Sequence, residues 1–385
     1  MMSKASPKLA IVHNVISPYK TVLFNQLKTA WPNLAVLYFA PTEKMRDWRV
    51  DREDITYEHQ VLFEKPLDDI GPWALFKAVW KALDDVNPDI VLVCEYIKTG
   101  YWAALFWAMK NRKKRIFWTE TTAEDRPRIW IKEQVKRWFI RQFQAGLAQS
   151  SKSKRYMHEL GMPYDHIWVK GYVTDNDFYA TAYAKERENR DALQAKYDMP
   201  KHNFLFVGRL AKEKNLLFLL SAFKKARDHG CDWGLILVGD GPMRRILEAY
   251  VLNCKLEKVV HFAGFVQKEG LAPFQAMSDV FVLPSVSEPW GLVVNEAMAC
   301  GLPVLVSTRC GCFPDIVRDR ENGFSFDPTD EHELVDLMFK LSDGRYNLAE
   351  MGKASIEIMT QFTPQTSVAV MKTVLDAVAT MPELA

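Results

Sequence analysis

The chain has 385 residues, of which 48% are hydrophobic and 25% are charged, and this composition excludes a disordered or fibrous protein. The length exceeds what one ordinary hydrophobic core organises, so we expect two domains. No apolar run approaches the ~20 residues that cross a bilayer. The N-terminal apolar run ends at His13, which predicts a first β-strand and not a signal peptide.

The net charge of +2 conceals an uneven distribution. Residues 1–178 contain 27 Lys and Arg against 21 Asp and Glu, whereas the remainder contains 23 against 27. A basic first half fits a phosphate-bearing ligand or an anionic membrane surface, and an ordinary solvated surface explains it equally well. No nucleic-acid-binding pattern accompanies the basic residues, so no nucleic acid partner is expected. Six scattered cysteines without metal-ligand spacing predict reduced thiols and a cytoplasmic protein.

Short apolar runs alternate with amphipathic segments along the whole chain, which predicts an α/β fold with parallel sheets. In the first half, strands are predicted over residues 9–13, 35–39, 90–93, 115–119 and 167–169. Helices are predicted over residues 21–29, 73–84 and 101–111.

The same alternation then starts again. Strands are predicted over residues 204–207, 234–238, 259–262, 280–283 and 304–306, with helices over 215–229, 243–253 and 291–300. The polar stretch 179–201 separates the two sets. We therefore predict an N-terminal domain over residues 1–178, a C-terminal domain over 179–362, and a last helical segment over 363–385 that returns to the first domain.

The most informative segment surrounds the predicted strand 280–283. The following loop carries Glu288, and a helix is predicted to begin near Gly291 and to end at Cys300. The first backbone N–H groups of a helix favour anions, and a glycine there lets a phosphate approach the backbone. Glu296 lies two turns inside this helix, so two carboxylates accompany one anion-binding helix end.

These residues resemble the glycosyltransferase family 4 group of the GT-B fold, through an E-x7-E pattern at Glu288 and Glu296. The resemblance extends to three further segments in the family's order: 208–214, 238–242 and 262–266. It implies two Rossmann-like doubly wound domains that face each other across a cleft. It also implies an enzyme that transfers a sugar from a nucleotide-sugar donor.

The resemblance also implies roles for individual residues. Arg209 and Lys214 would bind the donor diphosphate, Glu296 the ribose hydroxyls, and Glu288 the donor sugar. The remaining donor-binding positions that it implies are Gly208, Gly239, Phe265, Val266 and the backbone of Gly291, Leu292 and Val293. For Gly239 and Gly241, a tight turn is an equally good explanation.

The first half carries weaker candidates, which would bind the acceptor. Asn14 and Lys20 fall in the loop after the first strand, where many family members have a Gly-Gly pair that this chain lacks. Glu120 follows the strand 115–119 and could act as a base or stabilise positive charge at the anomeric carbon. The alternative is an ion pair of Glu120 with Arg115, Arg126 or Arg128. Glu95, after the strand 90–93, is a further acceptor-site candidate.

Two other segments allow alternative interpretations. Asp175, Asn176 and Asp177 match a metal-binding D-x-D pattern, but a turn capped by their side chains fits their position better, so no metal is predicted. The segment from Ile129 to Phe143 is basic, aromatic and predicted to be helical. It either contacts an anionic membrane peripherally or buries an apolar stripe and leaves its Lys and Arg in solvent.

Together these observations predict a retaining, metal-independent glycosyltransferase that needs no cofactor. Its donor would be a UDP- or GDP-sugar, and its acceptor a glycan, a lipid-linked molecule or a small molecule. The protein would be cytoplasmic, with possible contact at the inner membrane face. The alternatives are a nucleotide-sugar epimerase of the same fold and a non-catalytic GT-B subunit.

Overall fold

The structure is a computed structural model that describes residues 6–44, 51–124 and 128–384. It divides the chain into two compact units. The first consists of Met1–Val173 together with Pro364–Ala385, and the second of Thr174–Thr363.

The described residues of the first unit form one parallel sheet. Its strands are β1 (Leu9–Val15), β2 (Leu34–Ala40), β3 (Glu58–Val61), β4 (Ile90–Cys94), β5 (Lys114–Thr119), β6 (Ala145–Ala148) and β7 (Ile167–Val169). They lie in the order β3-β2-β1-β4-β5-β6-β7. The strands β1, β2 and β4 are buried almost throughout, because helices on both faces of a parallel sheet hide both sides of its central strands.

Five helices follow these strands in the described part of the first unit. They are α1 (Pro18–Ala30), α2 (Pro72–Val86), α3 (Thr99–Lys110), α4 (Trp130–Ile140) and α5 (Ser151–Glu159). α1 begins at Pro18, where the missing N–H group costs little and the fixed φ angle favours the helix.

The second unit repeats the design. Its described strands are β8 (Asn203–Val207), β9 (Gly234–Val238), β10 (Val260–Gly264), β11 (Val280–Leu283), β12 (Val304–Ser307) and β13 (Gly323–Phe326), in the parallel order β10-β9-β8-β11-β12-β13. Its helices are α6 (Asn176–Arg187), α7 (Arg190–Tyr197), α8 (Leu216–Asp228), α9 (Arg244–Asn253), α10 (Ala272–Ala276), α11 (Leu292–Ala299), α12 (Glu331–Ser342) and α13 (Leu348–Met359). The polar stretch 179–201 thus forms most of α6 and α7, within this unit.

The last helix, α14 (Pro364–Thr380), belongs to the first unit, where it packs against α1. Its buried face includes Met371, Val374, Leu375 and Val378, which join the hydrophobic core of that unit. The predicted α/β class with two doubly wound domains is confirmed.

Each sheet reverses its direction of winding beside its first strand. The reversal lies between β1 and β4 in the first unit and between β8 and β11 in the second. In doubly wound sheets, ligands bind beyond the carboxyl ends of the strands at such a switch point. The loops after these strands are therefore the places where functional side chains are expected.

Candidate functional site

Two glycines set how closely the loops after β8 and β9 approach each other. A Cβ atom on Gly239 would lie 1.9 Å from the carbonyl oxygen of Gly208, and one on Gly241 would lie 2.5 Å from the carbonyl oxygen of Leu210. Gly239 also has a φ angle of 138°, which side chains disfavour. The two loops therefore form one closely packed backbone layer. A contact of Gly239 with a nucleotide stays a prediction.

Arg209 projects from this backbone layer into solvent. Within the described ranges, its guanidinium group makes no hydrogen bond or ion pair. A guanidinium group presents five N–H donors in a plane, and this geometry matches the oxygens of a phosphate. Arg209 is thus a free cation at the switch point of the second unit.

Lys214 and Glu288 come together at the same switch point. Lys214 ends a 3-10 turn after β8, Glu288 lies in the loop after β11, and these two strands are paired in the sheet. The Val286 N–H donates to the Glu213 carbonyl oxygen at 2.9 Å, which holds the loop against the turn. The Lys214 ammonium forms an ion pair with the Glu288 carboxylate, and the two side chains are only 16% and 14% exposed.

A second loop supports the backbone around Glu288. The Gly311 N–H donates to the Glu288 carbonyl oxygen at 2.9 Å, and the Cys312 N–H donates to the Trp290 carbonyl oxygen at 3.1 Å. A Cβ atom on Gly311 would lie 1.8 Å from the Pro289 carbonyl oxygen, so this position requires glycine. The sequence analysis missed this support. The only signal in the sequence was a glycine between two cysteines, both of which are buried.

The helix α11 begins one residue after Gly291, which adopts a φ angle of 95°. A Cβ atom there would also lie 2.8 Å from a methyl group of Leu283. The backbone N–H groups of Leu292 and Val293 have no acceptor within the helix, because they belong to its first turn. Glu296 lies further along α11 and is 5% exposed. The structure thus places the first turn of α11 directly after the loop of Glu288, while the contacts predicted for Glu296 stay predictions.

The loop after β10 lies beside the same backbone layer, since the Gly239 N–H donates to the Gly264 carbonyl oxygen at 2.7 Å. Phe265 follows and is 68% exposed, whereas Val266 is half-buried. An exposed aromatic ring beside this layer is compatible with stacking on a base. Its predicted contact with the nucleotide base is untested.

In the first unit, the loops at the switch point bring Lys20 and Glu120 together. Lys20 lies in the first turn of α1, and its Nζ atom lies 3.0 Å from a carboxylate oxygen of Glu120, which follows β5. Burial would raise the pKa of Glu120, but the charge of Lys20 and hydrogen bonds from Tyr172 and Lys20 outweigh it and hold the pKa at about 2. Glu120 is therefore a carboxylate at every physiological pH and a weak base.

Glu120 is thus ion-paired, as the alternative prediction held, but its partner is a lysine. Arg128 instead contacts Glu133, at 3.1 Å. Arg115 is buried in β5, and its Nε atom has no hydrogen-bond partner among the described residues. Arg126, the third predicted partner, lies outside the described residues.

Glu95 holds the end of β5 in place. One of its carboxylate oxygens accepts hydrogen bonds from the Thr119 hydroxyl at 2.7 Å and the Glu120 N–H at 3.0 Å, and the other accepts one from the Thr121 hydroxyl at 3.2 Å. Its φ angle of 96° is rare for a residue with a side chain and is typical of functional sites. Burial raises its pKa to about 7, although these hydrogen bonds oppose the shift.

Two other candidates occupy different places from those predicted. Asn14 lies inside β1 and not in the loop after it, because β1 continues to Val15. Asp175 caps the N-terminus of α6 by accepting a hydrogen bond from the Phe178 N–H at 3.2 Å, and it also lies 3.3 Å from the Lys268 ammonium. Across the described ranges, no three His, Cys, Asp or Glu side chains are grouped as metal ligands.

The helix α4 exposes four of its six apolar side chains and buries Phe139 and Ile140. Trp130 is 74% exposed, Ile131 68%, Val135 48% and Trp138 45%, and the Trp138 ring is parallel to that of Trp102 on α3. The core-facing alternative therefore fits Phe139 and Ile140, which are buried, but not these four exposed side chains, and contact with a membrane stays a prediction.

The inner side of α4 is apolar at Phe139 and Ile140 and polar around Glu133. Lys136 is only 21% exposed, lies 2.8 Å from Glu133, which is itself buried, and hydrogen-bonds the Tyr156 hydroxyl at 2.7 Å. Lys136 is therefore unavailable to a membrane. None of the helices in the described ranges combines the length and the hydrophobicity needed to span a bilayer.

Comparison with known protein families gives two matches along the chain. The family described as 3-deoxy-D-manno-octulosonic-acid transferase (kdotransferase) matches residues 21–174, and the family described as glycosyl transferases group 1 matches residues 187–357. The first match contains Glu95 and Glu120 but begins after Asn14 and Lys20, and the second contains the motifs from Arg209 to Glu296.

Individual relatives agree with these families. The sulfoquinovosyl transferase SQD2 of Arabidopsis thaliana is 36% identical over 194 residues, which are 50% of this chain and 36% of that protein. The alpha-monoglucosyldiacylglycerol synthase of Acholeplasma laidlawii is 31% identical over 156 residues, 40% of this chain and 38% of that protein. The chain thus matches little more than a third of the length of these two curated relatives.

Solved structures share the whole fold. Anabaena HepE in complex with UDP superposes with a TM-score of 0.72 at 18% identity, over 96% of this chain and all of that chain. The lipopolysaccharide outer core galactosyltransferase WaaB superposes with a TM-score of 0.73 at 18% identity, over 96% and 99% of the two chains. At this identity the likeness describes the fold alone.

Proposed function

We propose that this chain, which belongs to the glycosyl transferases group 1 family of the GT-B fold, transfers a sugar from a UDP- or GDP-sugar to a hydroxyl group of a glycan or lipid-linked acceptor. One observation carries the proposal. A free arginine, a lysine–glutamate pair and the first turn of a helix all lie at the switch point of the second unit, between β8 and β11. Cations and helix N-termini bind phosphates, and E-x7-E accompanies both in this family.

The donor diphosphate would bind to Arg209, Lys214 and the first N–H groups of α11. Negative charge builds up on the departing nucleoside diphosphate as the bond to the sugar breaks, and these groups would stabilise it without a metal ion. Solved relatives bound to UDP and UDP-glucose support a uridine nucleotide as the first donor to test.

The ion pair gives Lys214 and Glu288 a shared role. Without donor, Glu288 neutralises the Lys214 ammonium. When the diphosphate takes over the lysine, the Glu288 carboxylate becomes free to accept hydrogen bonds from the hydroxyls of the donor sugar. Donor binding would therefore replace the ion pair by two new contacts, one between Lys214 and the diphosphate and one between Glu288 and the donor sugar.

In the reaction, the bond between the anomeric carbon and the diphosphate oxygen breaks, and the acceptor hydroxyl oxygen bonds to the anomeric carbon. The acceptor proton leaves with the nucleoside diphosphate. The resemblance to family 4 implies retention at the anomeric carbon. With its pKa of about 2, Glu120 is better suited to stabilise positive charge than to remove a proton.

The acceptor would be reached at a membrane surface. The exposed Trp130, Ile131 and Trp138 of α4 can enter the interface between lipid headgroups and acyl chains, where tryptophan is favoured. Replacing Trp130 and Ile131 with Ser should abolish binding to phosphatidylglycerol vesicles, whereas Lys132→Gln should only weaken this binding modestly and lower its dependence on salt. Equal vesicle binding by wild type and the Ser variant would refute this surface.

A thermal-unfolding screen against UDP, GDP and their common sugar conjugates tests the proposed donor. A ligand present at 100 times its Kd should add about 2.7 kcal/mol to the free energy of unfolding. The same ligand should give no stabilisation to the Arg209→Ala variant. If no nucleotide or nucleotide sugar stabilises the wild type, the proposed donor class is wrong.

A further inference from the structure

Two buried lysines share one tryptophan ring in the first unit. The Lys20 Nζ atom lies 3.9 Å from the centroid of the Trp118 ring, and the Lys170 Nζ atom lies 4.3 Å from the same centroid. The two nitrogens are therefore separated by no more than the sum of these distances, about 8 Å. Lys20 is 8% exposed and Lys170 only 6%.

Among the described residues, only one of the two lysines has a carboxylate partner. Lys20 is paired with Glu120 at 3.0 Å. The Lys170 ammonium, within the described part of the chain, has a single hydrogen bond, to the neighbouring Gly171 carbonyl oxygen at 3.3 Å. An ammonium group has three N–H donors, so two donors of Lys170 remain without an acceptor among the described residues. A buried charge without such acceptors is costly, and a bound anion would supply them.

The cluster lies where a ligand is expected. Lys20 follows β1, Trp118 is near the end of β5, and Lys170 follows β7, so all three lie at the carboxyl edge of the sheet. The Glu120 side chain is 38% exposed and links the cluster to solvent. With both lysines protonated, two ammonium groups and one carboxylate carry one net positive charge, which a bound anion would balance.

We propose that Lys20 and Lys170, together with Trp118, bind a singly charged oxyanion carried by the acceptor, either a phosphodiester or a sugar carboxylate. The assignment rests on the proposed glycosyltransferase function, because it names the charge of that enzyme's acceptor. The ring of Trp118 separates the anion from water on one side, and the two lysines act as point charges toward its oxygens. An acceptor without such a group would leave Lys170 unpaired.

Binding of the anion should be coupled to proton uptake. Burial and the nearby charge of Lys20 hold the pKa of Lys170 well below its usual range, while Glu120 and Cys94 raise it only in part. His13 also faces the cluster, with its ring 6.4 Å from Trp118. A bound anion raises the pKa of Lys170, so the complex takes up a proton, and affinity should fall as pH rises.

The test uses calorimetric titration of the full chain with three soluble probes at constant ionic strength. Glycerophosphoglycerol represents a phosphodiester headgroup, glucuronate a sugar carboxylate, and glucose is the neutral control. The wild type should bind at least one oxyanion in preference to glucose and take up protons on binding. Lys170→Met and Lys20→Met should each weaken this binding at least tenfold, and Lys81→Met, at an exposed position on α2, should not.

The stability of the variants separates loss of binding from loss of fold. Removing a buried unpaired cation should leave the midpoint of thermal unfolding of Lys170→Met equal to or above that of the wild type. The preferred probe identifies the source of the anion. Equal binding of the oxyanions by wild type and Lys170→Met, or no preference over glucose, would overturn the proposal.

Parallel titrations with UDP and nucleotide sugars distinguish this inference from the proposed function. If the wild type binds a nucleotide sugar but neither oxyanion, the anion site alone is refuted. If it binds an oxyanion with dependence on Lys170 but no nucleotide sugar, the oxyanion site stands and the proposed donor fails.

Discussion

Replacing Glu288 with Gln removes the charge that neutralises Lys214 while it preserves the volume of the side chain. We expect opposite effects on binding and on catalysis. UDP should bind more tightly, because its phosphates no longer compete with a carboxylate for the lysine. Transfer should fall by about a hundredfold or more, because the hydroxyls of the donor sugar lose a charged acceptor.

The size of the gain in affinity follows from the burial of the pair. Its side chains are 16% and 14% exposed, which lies between a surface ion pair and a fully buried one. Surface pairs contribute up to about 1 kcal/mol, and buried pairs more. We therefore expect a gain of about 1 kcal/mol, which corresponds to a roughly fivefold lower Kd for UDP.

Calorimetric titration with UDP measures this gain directly. Glu213→Gln is the matched control, because Glu213 is exposed in the same 3-10 turn and, within the described residues, its side chain forms no ion pair. Adding Lys214→Met to Glu288→Gln should remove the gain. An unchanged or higher Kd for UDP in a folded Glu288→Gln variant would refute competition between the carboxylate and the diphosphate.

Three other outcomes are expected. Arg209→Ala should lower the rate of transfer by roughly a hundredfold, about 3 kcal/mol, and weaken UDP binding. The free energy of unfolding should not change, since the exposed guanidinium has no partner in the described structure. Normal UDP affinity of this variant would contradict the prediction. The pKa of Glu95 is raised from 4.5 to about 7, so between these pH values the folded state keeps a proton that the unfolded chain loses. The free energy of unfolding of the wild type should therefore fall by at most about 3 kcal/mol as the pH rises through this range. In urea unfolding at several pH values, Glu95→Gln should show a smaller dependence of the free energy of unfolding on pH. The same dependence in wild type and variant would show that Glu95 does not titrate in this range. Transfer should persist in excess EDTA. Activity that EDTA abolishes and that added Mg²⁺ or Mn²⁺ recovers would show that the mechanism requires a metal ion.

The sequence predicted the central architecture because the central strands are buried on both faces. Such strands appear as continuous apolar runs, and the predicted strands 234–238 and 280–283 match β9 and β11 in full. The resemblance to glycosyltransferases is confirmed by the matches to two transferase families, whereas the assignment to family 4 stays a prediction. The resemblance rested on ordered motifs at the ends of these strands and not on composition.

Two of the strands that were not predicted lack an apolar signal. β3 has the sequence Glu-His-Gln-Val and lies at the edge of its sheet, where its outer side has no neighbouring strand. None of its four side chains is fully buried. β6 has the sequence Ala-Gly-Leu-Ala, and its small residues resemble a turn more than a strand. Local sequence cannot reveal such strands, because pairing with neighbours distant in the chain is what forms them.

The pairing of site residues was equally beyond the sequence. Lys20 and Glu120 are 100 positions apart, and they meet because β1 and β5 flank β4 in the sheet. The arginines predicted as partners of Glu120 are nearer in sequence, yet Arg115 lies within β5 and Arg128 contacts Glu133. The faces of α4 were ambiguous for a similar reason, since its inner side combines a buried polar network around Glu133 with the buried Phe139 and Ile140.

The central claim is that this chain moves a sugar from a nucleotide to a separate acceptor. The most direct test incubates the protein with the nucleotide sugar that stabilises it, with and without a membrane lipid extract, and follows the products by mass spectrometry. We expect release of the nucleoside diphosphate together with an acceptor heavier by one sugar residue, and only when the extract is present. The Lys214→Ala variant should form at least a hundredfold less of this product. Conversion of the donor without any acceptor, or equal product from the Lys214→Ala variant, would contradict the central claim.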